Sequence, residues 1–256
     1  MIKSSRRLPA LLSVAFSLAL SPNIASQTKP PDSFDTPLQT EVVDLGPSPY
    51  TAGRIKLSCY FYPTFMFKEH NDPGLKGAGL AIVPTKKGMI PPCAWNDASE
   101  HGIIHECAYF LAVKGGLVFI NACDGTNGGV PFMAYDSTTG KKIFEDSAFQ
   151  ARYLGMKVED SPFNELRVSS AQGGQLFVQY LRVVATDCDL RLREAPCWER
   201  TQRDLGLKDA RMPVCSGYEN VSTRWVSAVA CPVEVFFFPR PTTKTIAGPV
   251  ECWPVD

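Results

Sequence analysis

The chain has 256 residues, 26 of them basic and 26 acidic, with 45% hydrophobic positions and nine cysteines. Balanced charge without a basic block leaves no electrostatic footprint for nucleic acid, and past residue 26 no apolar run is long enough to span a bilayer. What remains is a globular chain suited to an oxidising compartment, with one core favoured over two small ones.

Lys3, Arg6 and Arg7 open the chain, an apolar stretch covers residues 8–20, and a region ending in Ala25 and Ser26 follows. This is the layout of a secretory signal peptide over residues 1–26, with cleavage expected near Ala25 or Ser26. Pro9 stands where a twin-arginine signal would want an aromatic or large apolar residue, so a Sec-type route is expected. Removing residues 1–26 takes away three basic residues and leaves a net charge of −3. The expected address is secreted or periplasmic, with no membrane span in the mature chain.

Residues 27–53 are rich in Pro, Thr and Asp, with few large apolar residues besides Val42, Val43 and Leu45. Such a composition buries little surface against its ordering entropy, and predicts a flexible arm before a β-rich domain over residues 54–256. In that domain residues 55–67 read as strand broken at Pro63, and residues 79–83 as a short strand. Residues 106–113 and 117–124 flank Lys114-Gly115-Gly116, residues 131–135 and 142–144 flank a second turn, and residues 166–169 and 175–186 a third. Residues 225–229 and 233–238 give two further strands on either side of Cys231-Pro232. A helix is expected over residues 196–205, with Pro near its start and Gly206 as its stop. The fold class is mainly β: one antiparallel, β-sandwich-like domain with one short helix, stapled by disulfides.

If Lys114-Gly115-Gly116 is a three-residue loop, Tyr109 faces Asn121 and Cys107 faces Cys123, on one side of the ribbon. A Cys107–Cys123 disulfide follows. Spacing along the rest of the chain suggests Cys188–Cys197 and Cys215–Cys231. The odd cysteine count leaves a free thiol or a disulfide-linked dimer.

No motif names a reaction. The densest group of reactive side chains is Cys93, His101, His105, Glu106 and Cys107, holding two of the three histidines. Imidazole and thiolate suit zinc, and a Cys93 thiol beside His101 or His105 would suit nucleophilic catalysis. The spacing matches no zinc motif, and surface histidines beside a disulfide account for the same residues, so no metal or cofactor is assigned. Asp124-Gly125-Thr126-Asn127-Gly128-Gly129 departs from the EF-hand pattern at Thr126 and reads as a turn. Asn220-Val221-Ser222 matches a glycosylation acceptor. Tyr60, Tyr62 and Trp95 are the aromatic candidates for a ligand platform, against the commoner role of such residues in a core. The expected function is an extracytoplasmic binding or interaction module for a protein, peptide or glycan. The alternative is a secreted hydrolase using His101 and His105, with or without zinc.

Overall fold

The computed structural model describes residues 34–85, 89–95, 100–103, 107–122, 129–149, 166–170, 175–192, 195–208, 211–220 and 226–255. Five strands, β1 (Gln39–Pro47), β2 (Arg54–Phe61), β3 (Phe65–Asn71), β4 (Gly79–Pro84) and β5 (His101–Ile103), form an antiparallel sheet in chain order. A second antiparallel sheet holds β6 (Ala108–Lys114), β7 (Leu117–Ala122), β8 (Val130–Asp136), β9 (Lys142–Ala148), β10 (Arg167–Ser170), β11 (Leu176–Ala185), β12 (Val226–Phe236), β13 (Thr242–Thr245) and β14 (Glu251–Val255). Its order is β13-β12-β11-β9-β8-β7-β6, with β10 added to β11 and β14 to β12.

Period-two alternation explains how these sheets stack. On β7 and β8 every second residue (Val118, Ile120, Met133, Tyr135) packs against Tyr62, Phe65, Phe67, Leu80 and Ile82 of the five-stranded sheet. The intervening residues (Leu117, Phe119, Phe132, Ala134) face the other way and meet Tyr180, Val233, Val235 and Phe237, together with Trp198 and Leu205 of the helix. The central strands are therefore apolar on both faces, and β7 is buried at all six positions. The sandwich-like architecture expected from the strand spacing is present, with a helix-covered layer on its second face.

The helix α1 (Ala195–Leu205) ends where Gly206 adopts φ +65°. The Leu207 amide donates to the Gln202 carbonyl at 2.9 Å and the Gly206 amide to Arg203 at 3.2 Å. That pairing satisfies carbonyls a helix end would leave bare, and glycine adopts the required φ at no steric cost.

Four expectations are corrected. Part of the predicted arm is strand β1, paired residue by residue with β2. It lies at the sheet edge, where the ladder orders it with little apolar burial, so its polar composition misled. The β6–β7 hairpin turns on two residues, Gly115 and Gly116 at φ +56° and +81°, with Lys114 opposite Leu117. A bulge between Phe110 and Ala112 then restores the expected Tyr109–Asn121 pairing. Residues 226–236 form one strand, not two. Pro232 is accommodated because β14 pairs with residues 226–230 of β12 and β13 with residues 233–236, leaving no ladder bond for its absent N–H on that side.

The fourth correction concerns disulfides. Cys59–Cys93, Cys188–Cys197 and Cys215–Cys252 are bonded, with Cα separations of 5.8, 6.4 and 4.5 Å. Cys215 therefore pairs with Cys252 and not Cys231. Cys252 sits opposite Val229 on β14, and the Ser216 amide donates to its carbonyl, which brings Cys215 alongside. Among the described residues Cys231 is the free cysteine, fully buried in the core of the larger sheet, so a dimer bridged through it would require opening that core. Cys107 is disulfide-bonded, while Cys123 lies outside the described residues, as do the expected signal peptide and the Asp124–Asn127 part of the glycine-rich loop.

Candidate functional site

Strand β3 divides its residues between the two faces of its sheet. Phe65, Phe67 and Glu69 point into the sandwich, whereas Met66, Lys68 and His70 point outward. The outer face is covered by the connection from β4 to β5, of which residues 89–95 and 100 are described. The Cys59–Cys93 disulfide pins this connection to β2. Trp95 lies over Gly79, where a Cβ would meet its ring at 3.0 Å, and packs against His70 with centroids 4.9 Å apart and the rings tilted by 37°. Met89 and Ile90 of the same connection are 65% and 76% exposed.

Beneath the connection lies a fully buried lysine. Lys68 reaches along the outer face, where its opposite neighbour is Ala81 and the next across is Gly102. These small residues leave room for the long stem. The Lys68 Nζ donates to Glu100 Oε2 at 2.9 Å and to the Ala94 carbonyl. The Lys68 side chain is wholly inaccessible, and that of Glu100 is 14% exposed.

The other predicted residues fall elsewhere. Tyr62 is buried in the sandwich, stacked on Phe65 with centroids 4.9 Å apart, and burial pushes its hydroxyl up to about 12. Tyr60 is half-buried on the same inner face, 4.9 Å from the Phe110 ring, and its hydroxyl donates to Glu69 at 3.2 Å. Both tyrosines are core residues. Burial raises the Glu69 carboxyl above its ordinary value, against the lowering effect of bonds from Tyr60 and the Phe110 amide. His101 pairs with Ile82 and so points to the face opposite Trp95, against Gly140 of the β8–β9 turn. His105 lies outside the described residues. The sulfur of Cys93 is consumed in its disulfide, which removes it as a nucleophile. Lys68, His70 and Glu100 were not singled out from the sequence. The signal was the outward phase of Lys68 and His70 on β3, which becomes informative only once the covering connection is known.

Two further clusters carry polar chemistry. A cleft of about 270 Å³ is lined by Thr186, Asp187, Arg200, Thr201 and Asp204, with Arg200 bonded to Asp187 at 3.1 Å. Nearby, Asp187, Cys188 and Cys197 place ligand atoms within metal-binding distance of one another, but both sulfurs are joined in a disulfide. Where β9 and β11 meet at a single pair, Arg182 with Ala148, side chains continue the junction. The Tyr180 hydroxyl donates to the Asp146 carboxylate at 2.6 Å, and Arg182 Nε donates to the same carboxylate at 3.0 Å. Comparisons of the chain with protein-family models, curated proteins and solved structures find no match.

Proposed function

We propose that the chain is an extracytoplasmic binding module that takes a protein, peptide or glycan ligand on the outer face of the five-stranded sheet, at Trp95. The observation that carries this reading is the Trp95 ring seated over Gly79 and against the tilted His70 ring, held by a disulfide-pinned connection. A rigid aromatic face gives large contact area at low entropic cost, which suits recognition of sugar faces and extended peptides. Met89 and Ile90 of the same connection are also exposed. Three disulfides support the extracytoplasmic address, and no helix among the described residues is long and apolar enough to cross a membrane.

The hydrolase alternative gains no support from the described residues, because His101 faces away from Trp95 and Cys93 carries no free thiol. Glycan arrays and peptide libraries screened with the wild type and Trp95→Ala test the proposal. Ligands that bind the wild type at least tenfold more tightly than a folded Trp95→Ala variant support it. Ligands that bind both equally, or no ligand in either screen, reject it.

A further inference from the structure

The chemistry of the Lys68–Glu100 contact goes beyond ligand binding and does not depend on it. We propose that the pair is the site of an intramolecular amide cross-link, joining Lys68 Nζ to Glu100 Cδ and locking the β4–β5 connection onto β3.

The two groups meet at 2.9 Å, Lys68 on β3 and Glu100 at the end of the connection that leads into β5, and the lysine is wholly removed from water. Positioned intramolecular partners react with effective molarities on the order of 10⁵ M or more. In water the charged pair is strongly solvated and condensation is disfavoured. Beneath the connection that solvation is lost, and a neutral amide is less costly to bury than an ammonium and a carboxylate. The ammonium passes one proton to the carboxylate oxygen it touches. The freed amine attacks Cδ, the C–N bond forms, and the C–O bond breaks as the oxygen leaves with a second nitrogen proton as water. One proton stays on nitrogen, and no oxidant or reductant is needed.

The surroundings fit the product as well as the reactants. An amide nitrogen keeps a single hydrogen, and the Ala94 carbonyl already accepts from this nitrogen. Glu100 is the partner with residual exposure, which gives the departing water a way out. Ala81 and Gly102 leave the stem free to settle without steric conflict.

Intact mass of the full chain, purified from an exporting host, then reduced, alkylated and denatured, tests the assignment. Once signal removal and the alkylating groups are accounted for, the expected mass falls short of the sequence by one water. Trypsin should not cut after Lys68, and fragmentation should yield a branched peptide containing both residues. Lys68→Arg and Glu100→Ala should each restore the missing water. A deficit confined to a fraction of molecules that grows on incubation also supports the bond. No water deficit and cleavage after Lys68, in a sample whose Cys59–Cys93 disulfide was intact before reduction, overturn it. So does a deficit that survives in Lys68→Arg, since that would locate the bond elsewhere.

Discussion

The carboxylate of Glu69 accepts the hydroxyl of Tyr60 inside the seam between the two sheets, and it also takes the backbone amide of Phe110 on β6. A side chain of one sheet thus caps the edge of the other. Two backbone bonds flank it: Ala78 donates to the Ala108 carbonyl and Asp35 to that of Val113. Strand β6 would otherwise present an open edge.

The raised carboxyl of Glu69 makes stability depend on pH in a definite sense. Its folded value lies above the ordinary 4.5, chiefly through loss of solvation. The folded state then binds more protons than the unfolded state in that window, so this group costs stability as pH rises through it. Asp44, Asp72 and Asp189 are lowered by hydrogen bonds, from Arg54, Ser48 and Arg191 respectively, and act oppositely. Their contribution is complete above about 3.8 and lost as pH falls below it. Denaturant unfolding of Glu69→Gln against the wild type should show the variant gaining relative stability between pH 4 and pH 7. Parallel curves would contradict the assignment.

Gly79 is predicted to tolerate no side chain. A Cβ there meets the Trp95 ring at 3.0 and 3.1 Å. Gly79→Ala should displace the indole and cost about 1–3 kcal/mol, the usual effect of overpacking. Thermal unfolding gives the cost, and a red shift in tryptophan emission reports the displacement. An unshifted emission would mean the ring is not seated on this residue.

Replacing both Cys59 and Cys93 by serine should cost roughly 2–4 kcal/mol, because that bond closes a long loop in the unfolded chain. The two half-cystines are 34 residues apart. Chemical denaturation of the double variant measures the loss.

Thiol chemistry should follow burial. The Cys231 thiol is pushed up to about 11, mainly by its burial, and has no exposed surface. Alkylation at pH 8 should leave it untouched in the folded protein and modify it fully in denaturant. Peptide mapping of the same sample should show Cys107 joined to Cys123, in keeping with the Ala108–Ala122 pairing that ends the described ladder. A free Cys107 would defeat that assignment.

Tyr180→Phe should be costly although it removes one oxygen. It takes away one of the two side chains bonding the Asp146 carboxylate, in a junction with a single ladder pair. A loss of about 1–3 kcal/mol is expected, since a largely buried acceptor loses a partner. Equilibrium unfolding against the wild type checks it.

Much of this fold was legible because apolar residues at both phases of β7, β8 and β12 can be satisfied only between layers. The helix stop at Gly206 was equally plain. The hairpin register came right through two compensating features: the turn is one residue shorter than expected, and the bulge at Leu111 restores the phase. A glycine pair shows that a turn exists, but the bulge depends on packing that no local pattern encodes. Strands β1, β5, β13 and β14 are not marked in the sequence: β1 and β13 are edge strands that need few apolar residues, and β5 and β14 are only three and five residues long. The candidate site was least legible. Trp95 was noticed for its ring, while Lys68 and Glu100 are far apart in sequence and meet only through the pairing of β3, β4 and β5.

Strand β12 draws its outer partners from residues that follow it in the chain, β13 and β14. It is eleven residues long and buried at most positions. During synthesis it must therefore wait, sticky and half-paired, until residues 242–255 have emerged. The Cys215–Cys252 bond staples β14 to residue 215, ahead of β12 in the chain. A chain lacking residues 242–255 would present a long apolar rim to its neighbours.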